Sequence, residues 1–455
     1  MISQQALQSR VEALAAEANV TGIAVGISIG GEKILAHHGI ANAETGAAVR
    51  ADTLFAAGSV TKVFNAALFM TLVDDGLIDL DAPVTSYLSD FRMGSEAERS
   101  QVTARMLLNH SAGLPGYGMY GLKPGPDVLA RAMQVLNTYP FNSPPGRHWS
   151  YSNTGMLVLG RMVEVLLGKT WDDALDERIL APLGCHASCD PERLILDPVA
   201  VGHIGASPTD PQKRTDIFRL DSTNGPAGFT MWCDIDAFMR FGRMHLDGGT
   251  SAGGKKVLSA DAIAEMLKPQ FPATWGASDE WGLGWHLRDA GGTTIVTHSG
   301  GNAGMHSDLS VVPAHDAVIG VLTNSMTGVM LTQRITDELL NAEFGITANP
   351  PPAAPAQPIE VDLAPYVGRY VADDSFAEVV ETNGKLVITT DGDKRLEMLM
   401  RKLFFTFPMP PLTLTPFADD GRFLSDLGMP VTFIVEDGQS KASYARLGKI
   451  YRREG

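Results

Sequence analysis

The 455-residue chain is poor in cysteine, holding only Cys185, Cys189 and Cys233. An odd, small number in so long a chain does not describe a disulfide framework. Cys185 and Cys189 flank His186, but no second Cys/His pair lies close enough in sequence to complete four ligands, so no metal or other cofactor is expected. Long apolar runs are missing too, and no segment approaches the ~20 residues that cross a bilayer. Positive charge is scarce. With 36 Lys and Arg against 52 Asp and Glu, the formal net charge of −16 argues against nucleic acid or anionic lipid as a partner. The opening Met-Ile-Ser-Gln-Gln lacks the basic stretch, apolar run and small-residue cleavage site of a leader, so a cytoplasmic protein is expected.

What is present suits a folded protein with a substantial core: 44% of residues are hydrophobic and 19% charged. The length points to two domains. Leu7, Val11, Leu14 and Ala18 recur at helical spacing. Ala24–Ile29 and Lys33–Ala36 then read as a hairpin closed by Gly30-Gly31. Buried helices are expected over about 63–72, 156–167 and 257–267, the last capped by Ser259. Strands follow at 293–297, 308–312 and 318–323, then a helix carrying Leu331, Ile335 and Leu339. Strands at both ends with helices between them predict an α/β domain whose sheet joins the two ends of residues 1–347. Residues 348–359, rich in proline, read as a stiff linker. Over 360–455 the pattern turns to short strands, with hairpins around Asn383-Gly384 and Asp437-Gly438, so a small β-barrel or sandwich is expected.

Three short stretches carry chemistry. In Ala57-Gly-Ser-Val-Thr-Lys62, Ser59 opens a helix, where its backbone N–H and the helix dipole face any developing oxyanion. Lys62 lies one turn on, and burial would lower its pKa towards that of a useful base. In Ser150-Tyr151-Ser152-Asn153, Tyr151 offers a phenol to relay a proton and Asn153 a donor and acceptor for an amide. In Thr297-His298-Ser299-Gly300-Gly301, at a strand end, His298 can exchange a proton near neutrality or bind a carboxylate when charged. Gly300 lets a backbone come close, and the Gly301 N–H can serve as a second oxyanion donor. Taken singly, each stretch also has a plain structural reading as a cap, a turn or a strand end.

In this chain order the three stretches resemble the β-lactamase-related serine hydrolases, a family of class C β-lactamases, penicillin-binding proteins, some esterases and D-amino-acid peptidases. Its pattern is Ser-x-x-Lys, then Tyr-x-Asn, then Lys- or His-x-Gly on a strand. Here 92 residues separate Ser59 from Tyr151, and a further 147 lead to His298. Leu107–Pro115, Pro182–Gly184 and Gly282–Trp285 match as well, and the resemblance covers about residues 5–345. It implies an antiparallel sheet flanked by helices with an all-helical subdomain, a lipocalin-like C-terminal barrel, and an acyl-enzyme on Ser59. By the same resemblance Lys62 and Tyr151 share the role of base, Tyr151 or His298 protonates the leaving group, and Asn153, Gly300 and Gly301 hold the substrate. His110, in the Leu107–Pro115 stretch, reads as part of a family turn, and His148 and His203 as surface or packing residues.

His298 stands where the family's β-lactamases usually carry lysine, which lowers the case for antibiotic hydrolysis. The resemblance then leans towards members acting on peptides with D-residues, including D-aminopeptidases and the thioesterases that release or cyclise nonribosomal peptides. A small-molecule or short-peptide substrate is expected. A promiscuous carboxylesterase or weak β-lactamase, and a catalytically silent binding protein, remain as alternatives.

Overall fold

The computed structural model describes residues 1–116, 121–205, 209–273, 279–350, 352–357, 359–373, 375–392 and 410–455. Pro351 and Pro358 of the expected linker lie outside them. The first 344 residues build a nine-stranded antiparallel sheet with helices on both faces. Gly22–Ile29, third in the strand order, pairs on one side with Glu32–Asn42 and on the other with Ala317–Thr323, so both ends of this region do meet in one sheet. Met305–Val312, Thr293–Asn302 and His286–Ala290 follow in order towards the other edge.

Central strands covered on both faces need apolar side chains in both directions, which is why Gly22–Ile29 and Ala317–Thr323 are nearly continuous in apolar residues. On one face Ile23, Val25 and Ile27 pack with the first helix, Gln4–Glu17, and the last, Gly328–Phe344. On the other, Ala24 and Leu322 join a larger core built with Thr61–Asp74, Asn153–Leu167 and Ile235–Leu246. Ser59 therefore starts a helix buried between the sheet and the helical layer.

Helix limits follow local chemistry. Ser259 accepts from the Ala262 N–H and caps Ala260–Leu267. The Asn153–Leu167 helix stops at Gly168, whose φ of 66° needs no Cβ to be avoided. One expectation is corrected. The strand carrying His298 does not end there but runs on to Asn302, so His298, Gly300 and Gly301 sit within it. Pairing with Met305–Val312 supplies the ladder that extends it.

Eight strands from Gly368 to Arg453 close into an antiparallel barrel with its own core, centred on Tyr370, Leu414, Phe423 and Phe433. Both expected hairpins are present, Ser375–Thr382 with Lys385–Asp391 and Pro430–Ile434 with Tyr444–Leu447. No helix among the described residues is long and apolar enough to cross a membrane.

Candidate active site

Ser59 lies on a single 3₁₀ turn, Gly58–Val60, that runs straight into the Thr61–Asp74 helix. The turn presses against the His298 strand. A Cβ on Gly300 would stand 2.4 Å from Ala57 O and 2.8 Å from Ser59 N, and one on Gly58 would stand 2.7 Å from Gly301 N. No side chain fits at either position, so the two backbones meet directly and bring the Ser59 and Gly301 amides to one place. Ser307 on the adjoining strand locks the contact by donating its hydroxyl to Ala57 O at 2.7 Å.

Lys62 is fully buried. Its Nζ donates to Ala227 O at 2.6 Å and lies 3.0 Å from Ser59 Oγ. Burial pushes this amine well below its ordinary pKa of 10.5. In its unprotonated form, which burial favours, the amine gives a proton to Ala227 O and has a lone pair to offer Ser59, which is the geometry of a general base beside its nucleophile.

Over the same amine lies Tyr151, whose ring centroid is 4.9 Å from Lys62 Nζ. That ring sits in an aromatic cluster with His110 at 4.6 Å, Trp281 at 6.0 Å and His298 at 6.3 Å. The backbone on either side of Tyr151 is held by the 110–116 segment. The Ser150 N–H donates to His110 O, the Ser152 N–H to His110 Nδ1, and the Asn153 N–H to Gly116 O. Ser152 Oγ donates to Pro115 O and caps the following helix by accepting from the Gly155 N–H. Asn153 is buried, and its Oδ1 has no hydrogen-bond partner among the described residues. An amide acceptor left in that state is ready for a donor from a bound molecule.

His298 is 4% exposed, and its Nδ1–H donates to Ser299 O at 2.6 Å. Nε2 then carries the lone pair, buried and without a partner among the described residues. Burial above all pushes the ring's pKa down to about 3. It is therefore a neutral acceptor near pH 7, and the carboxylate binding expected of a charged His298 has no cation there to perform it.

His110 belongs closer to the chemistry than its sequence context suggests. It holds φ at 61°, an uncommon conformation for a residue with a side chain, and so turns its ring under Tyr151. Burial drives its pKa well below 6.5, and its Nδ1 is committed as an acceptor. His148 packs its ring against Tyr444 of the barrel at 4.7 Å, and His203 is in the core, bonded to Ala43 N and Asn324 O. His186 lies between Asp197 and Asp234, away from this cluster.

A serine at a helix start, a buried amine against its hydroxyl and two backbone amides beside it define a serine hydrolase. The chain belongs to the β-lactamase family, whose model matches residues 7–343. It is 36% identical over 368 residues to penicillin-binding protein 4 of Amycolatopsis lactamdurans, spanning 80% of this chain and 96% of that one. To esterase EstB of Burkholderia gladioli it is 33% identical over 195 residues, 37% of this chain and 50% of EstB. Among solved structures SurE superposes with a TM-score of 0.82 at 25% identity over 99% of both chains. SurE has also been solved with D-Leu, and that structure superposes with a TM-score of 0.80.

Proposed function

We propose that this serine hydrolase forms an acyl-enzyme on Ser59 from amide or (thio)ester bonds of small peptides containing D-residues. The observation that carries the reading is His298, buried next to Tyr151 with its Nδ1–H spent on Ser299 O and its pKa lowered to about 3. A site whose strand residue holds no charge has little to offer the carboxylate of a β-lactam and suits an uncharged acyl segment. The likeness to SurE over the whole chain, barrel included, and the D-Leu bound in that relative support the same class of substrate.

Ser59 Oγ attacks the carbonyl carbon while its proton passes to the Lys62–Tyr151 pair. The N–H groups of Ser59 and Gly301 hold the oxyanion. Tyr151 returns the proton to the leaving amine, alcohol or thiol, and Asn153 Oδ1 accepts from an amide of the acyl chain. Water, or an amine in a transferase, then attacks the ester and frees Ser59.

A panel of aminoacyl p-nitroanilides and thioesters in both configurations tests this reading. Turnover of D-configured substrates at least about 10-fold above their L counterparts supports it, since a misfit of even one methylene in a pocket costs on the order of 1–3 kcal/mol. Equal rates for both, with fast hydrolysis of p-nitrophenyl acetate, would instead favour a general esterase, the second reading that the EstB likeness keeps in view.

A further inference from the structure

The barrel makes a buried polar contact with the other domain at Gly116, next to the Tyr151–Asn153 turn. Asp373, in the turn after the strand Gly368–Ala372, accepts at Oδ2 from the Gly116 N–H (3.1 Å) and from Lys449 Nζ (3.0 Å). Its Oδ1 accepts from Asn142 Nδ2 at 2.8 Å, and its own N–H donates to Asn142 Oδ1 at 3.3 Å. Both charged side chains are over nine-tenths buried, at 7% and 9% exposure. Gly116 in turn accepts from the Asn153 N–H at 2.8 Å, so one residue takes the barrel's carboxylate on its N–H and the site's asparagine on its carbonyl. A Cβ on Gly116 would come 2.9 Å from Lys449 Cδ and 3.3 Å from Tyr151 O, which shows how tightly the barrel and the turn close on it. A parallel route runs through Ser150, whose Oγ accepts from the barrel's Ile450 N–H at 3.1 Å and whose N–H bonds His110 O.

We infer that Asp373 and Lys449 of the barrel are positioning residues for catalysis, fixing the Tyr151–Asn153 turn through Gly116. A buried ion pair adds little adhesion over an apolar contact, because desolvation offsets most of its attraction. Its bonds are directional, however, and an apolar contact would let the 110–116 and 150–153 segments slide. The phenol and the amide must be held to within a fraction of an ångström for proton relay and substrate orientation. The barrel thus completes the catalytic geometry without placing Asp373 or Lys449 on the substrate. This inference rests on the reading of the Ser59 site given above.

The test uses the full chain and the double variant Asp373→Gly/Lys449→Met, which leaves no unpaired charge and keeps the left-handed turn at residue 373 (φ 51°) in a residue that favours it. Measured would be the melting temperature, kcat and KM on p-nitrophenyl butyrate, and the rate of Ser59 labelling by a fluorophosphonate. The expected result is a folded protein whose kcat and labelling rate fall together by about 10- to 100-fold while KM changes little. A folded double variant with kcat and labelling within about twofold of the parent would overturn the inference. If it does not fold, Asn142→Ala decides the matter, since it removes the Asp373 Oδ1 contact and leaves the ion pair in place. A loss of about 10-fold in kcat is expected of it, and parental kcat would overturn the inference. Continued labelling and turnover by Ser59→Ala would contradict the site reading itself, a failure separable from either of these.

Discussion

The two halves of the site are held in opposite ways. Ser59 and Lys62 are three residues apart at the start of one helix, and that helix, buried along 61–72, sets their spacing almost alone. Tyr151 and Asn153 owe their places to distant chain: His110, Pro115 and Gly116 from one side, and Asp373, Lys449 and Ile450 of the barrel from the other. The nucleophile side is rigid because it is local, and the proton-relay side depends on interdomain fit. Changes to the first should abolish chemistry outright, and changes to the second should grade it.

The largest effect is expected at Lys62. Lys62→Met should lower kcat about 10²- to 10⁴-fold, the range for loss of a positioned base, as measured by steady-state hydrolysis of p-nitrophenyl butyrate. Stability should move the other way. Because burial depresses the amine's pKa in the folded state, the unfolded chain binds the extra proton, and the parent gains stability as pH rises towards 10.5. The methionine variant lacks that gain, so its melting temperature should exceed the parent's near pH 7 and the gap should narrow as pH rises. A gap that widens with pH would contradict a buried Lys62 of lowered pKa.

Tyr151→Phe comes next and should cost kcat roughly 10²-fold with KM little changed, since a relay is lost while the ring stays in its aromatic cluster. Smaller still, His110→Asn should reduce kcat about 10-fold. Asparagine tolerates the left-handed backbone at 110 and keeps, in Oδ1, an acceptor for Ser152 N–H, but removes the ring beneath Tyr151. Unchanged kcat in that variant would return His110 to the role of an ordinary turn residue. The smallest effect concerns pH. With His298 held to a pKa of about 3, the kcat/KM profile should show no step at the ordinary histidine value of 6.5, and His298→Gln should not shift whichever acid limb is seen. A limb near 6.5 that vanishes in that variant would show His298 titrating in the working range.

The same contrast explains what could be read in advance. Ser-x-x-Lys before an apolar run is a short-range pattern, and helix geometry alone converts it to a hydroxyl beside an amine. The sheet joining both ends, the helices expected at about 156–167 and 257–267 and the barrel hairpins were legible because alternation, the Ser259 cap, the Gly168 stop and Asn-Gly or Asp-Gly turns are local signals too, although the first helix starts a turn's length earlier, at Asn153. The strand through His298 is longer than its own residues announce, since Ser299, Gly300 and Gly301 are not strand formers and pairing with 305–312 recruits them. The charge state of His298 depends on burial by chain far away in sequence. So does the role of His110, for which Leu-Asn-His-Ser-Ala-Gly gives only a turn. Asp373 and Lys449, 76 residues apart, carry no motif at all, and only the docked barrel brings them against Gly116.

The central claim is that Ser59 is an activated nucleophile, and intact-protein mass after incubation with a fluorophosphonate tests it most directly, with Ser59→Ala as control. One adduct is expected on the parent, at Ser59, and none on the alanine variant of equal melting temperature. An unmodified parent, or an adduct that persists in Ser59→Ala, would contradict the claim.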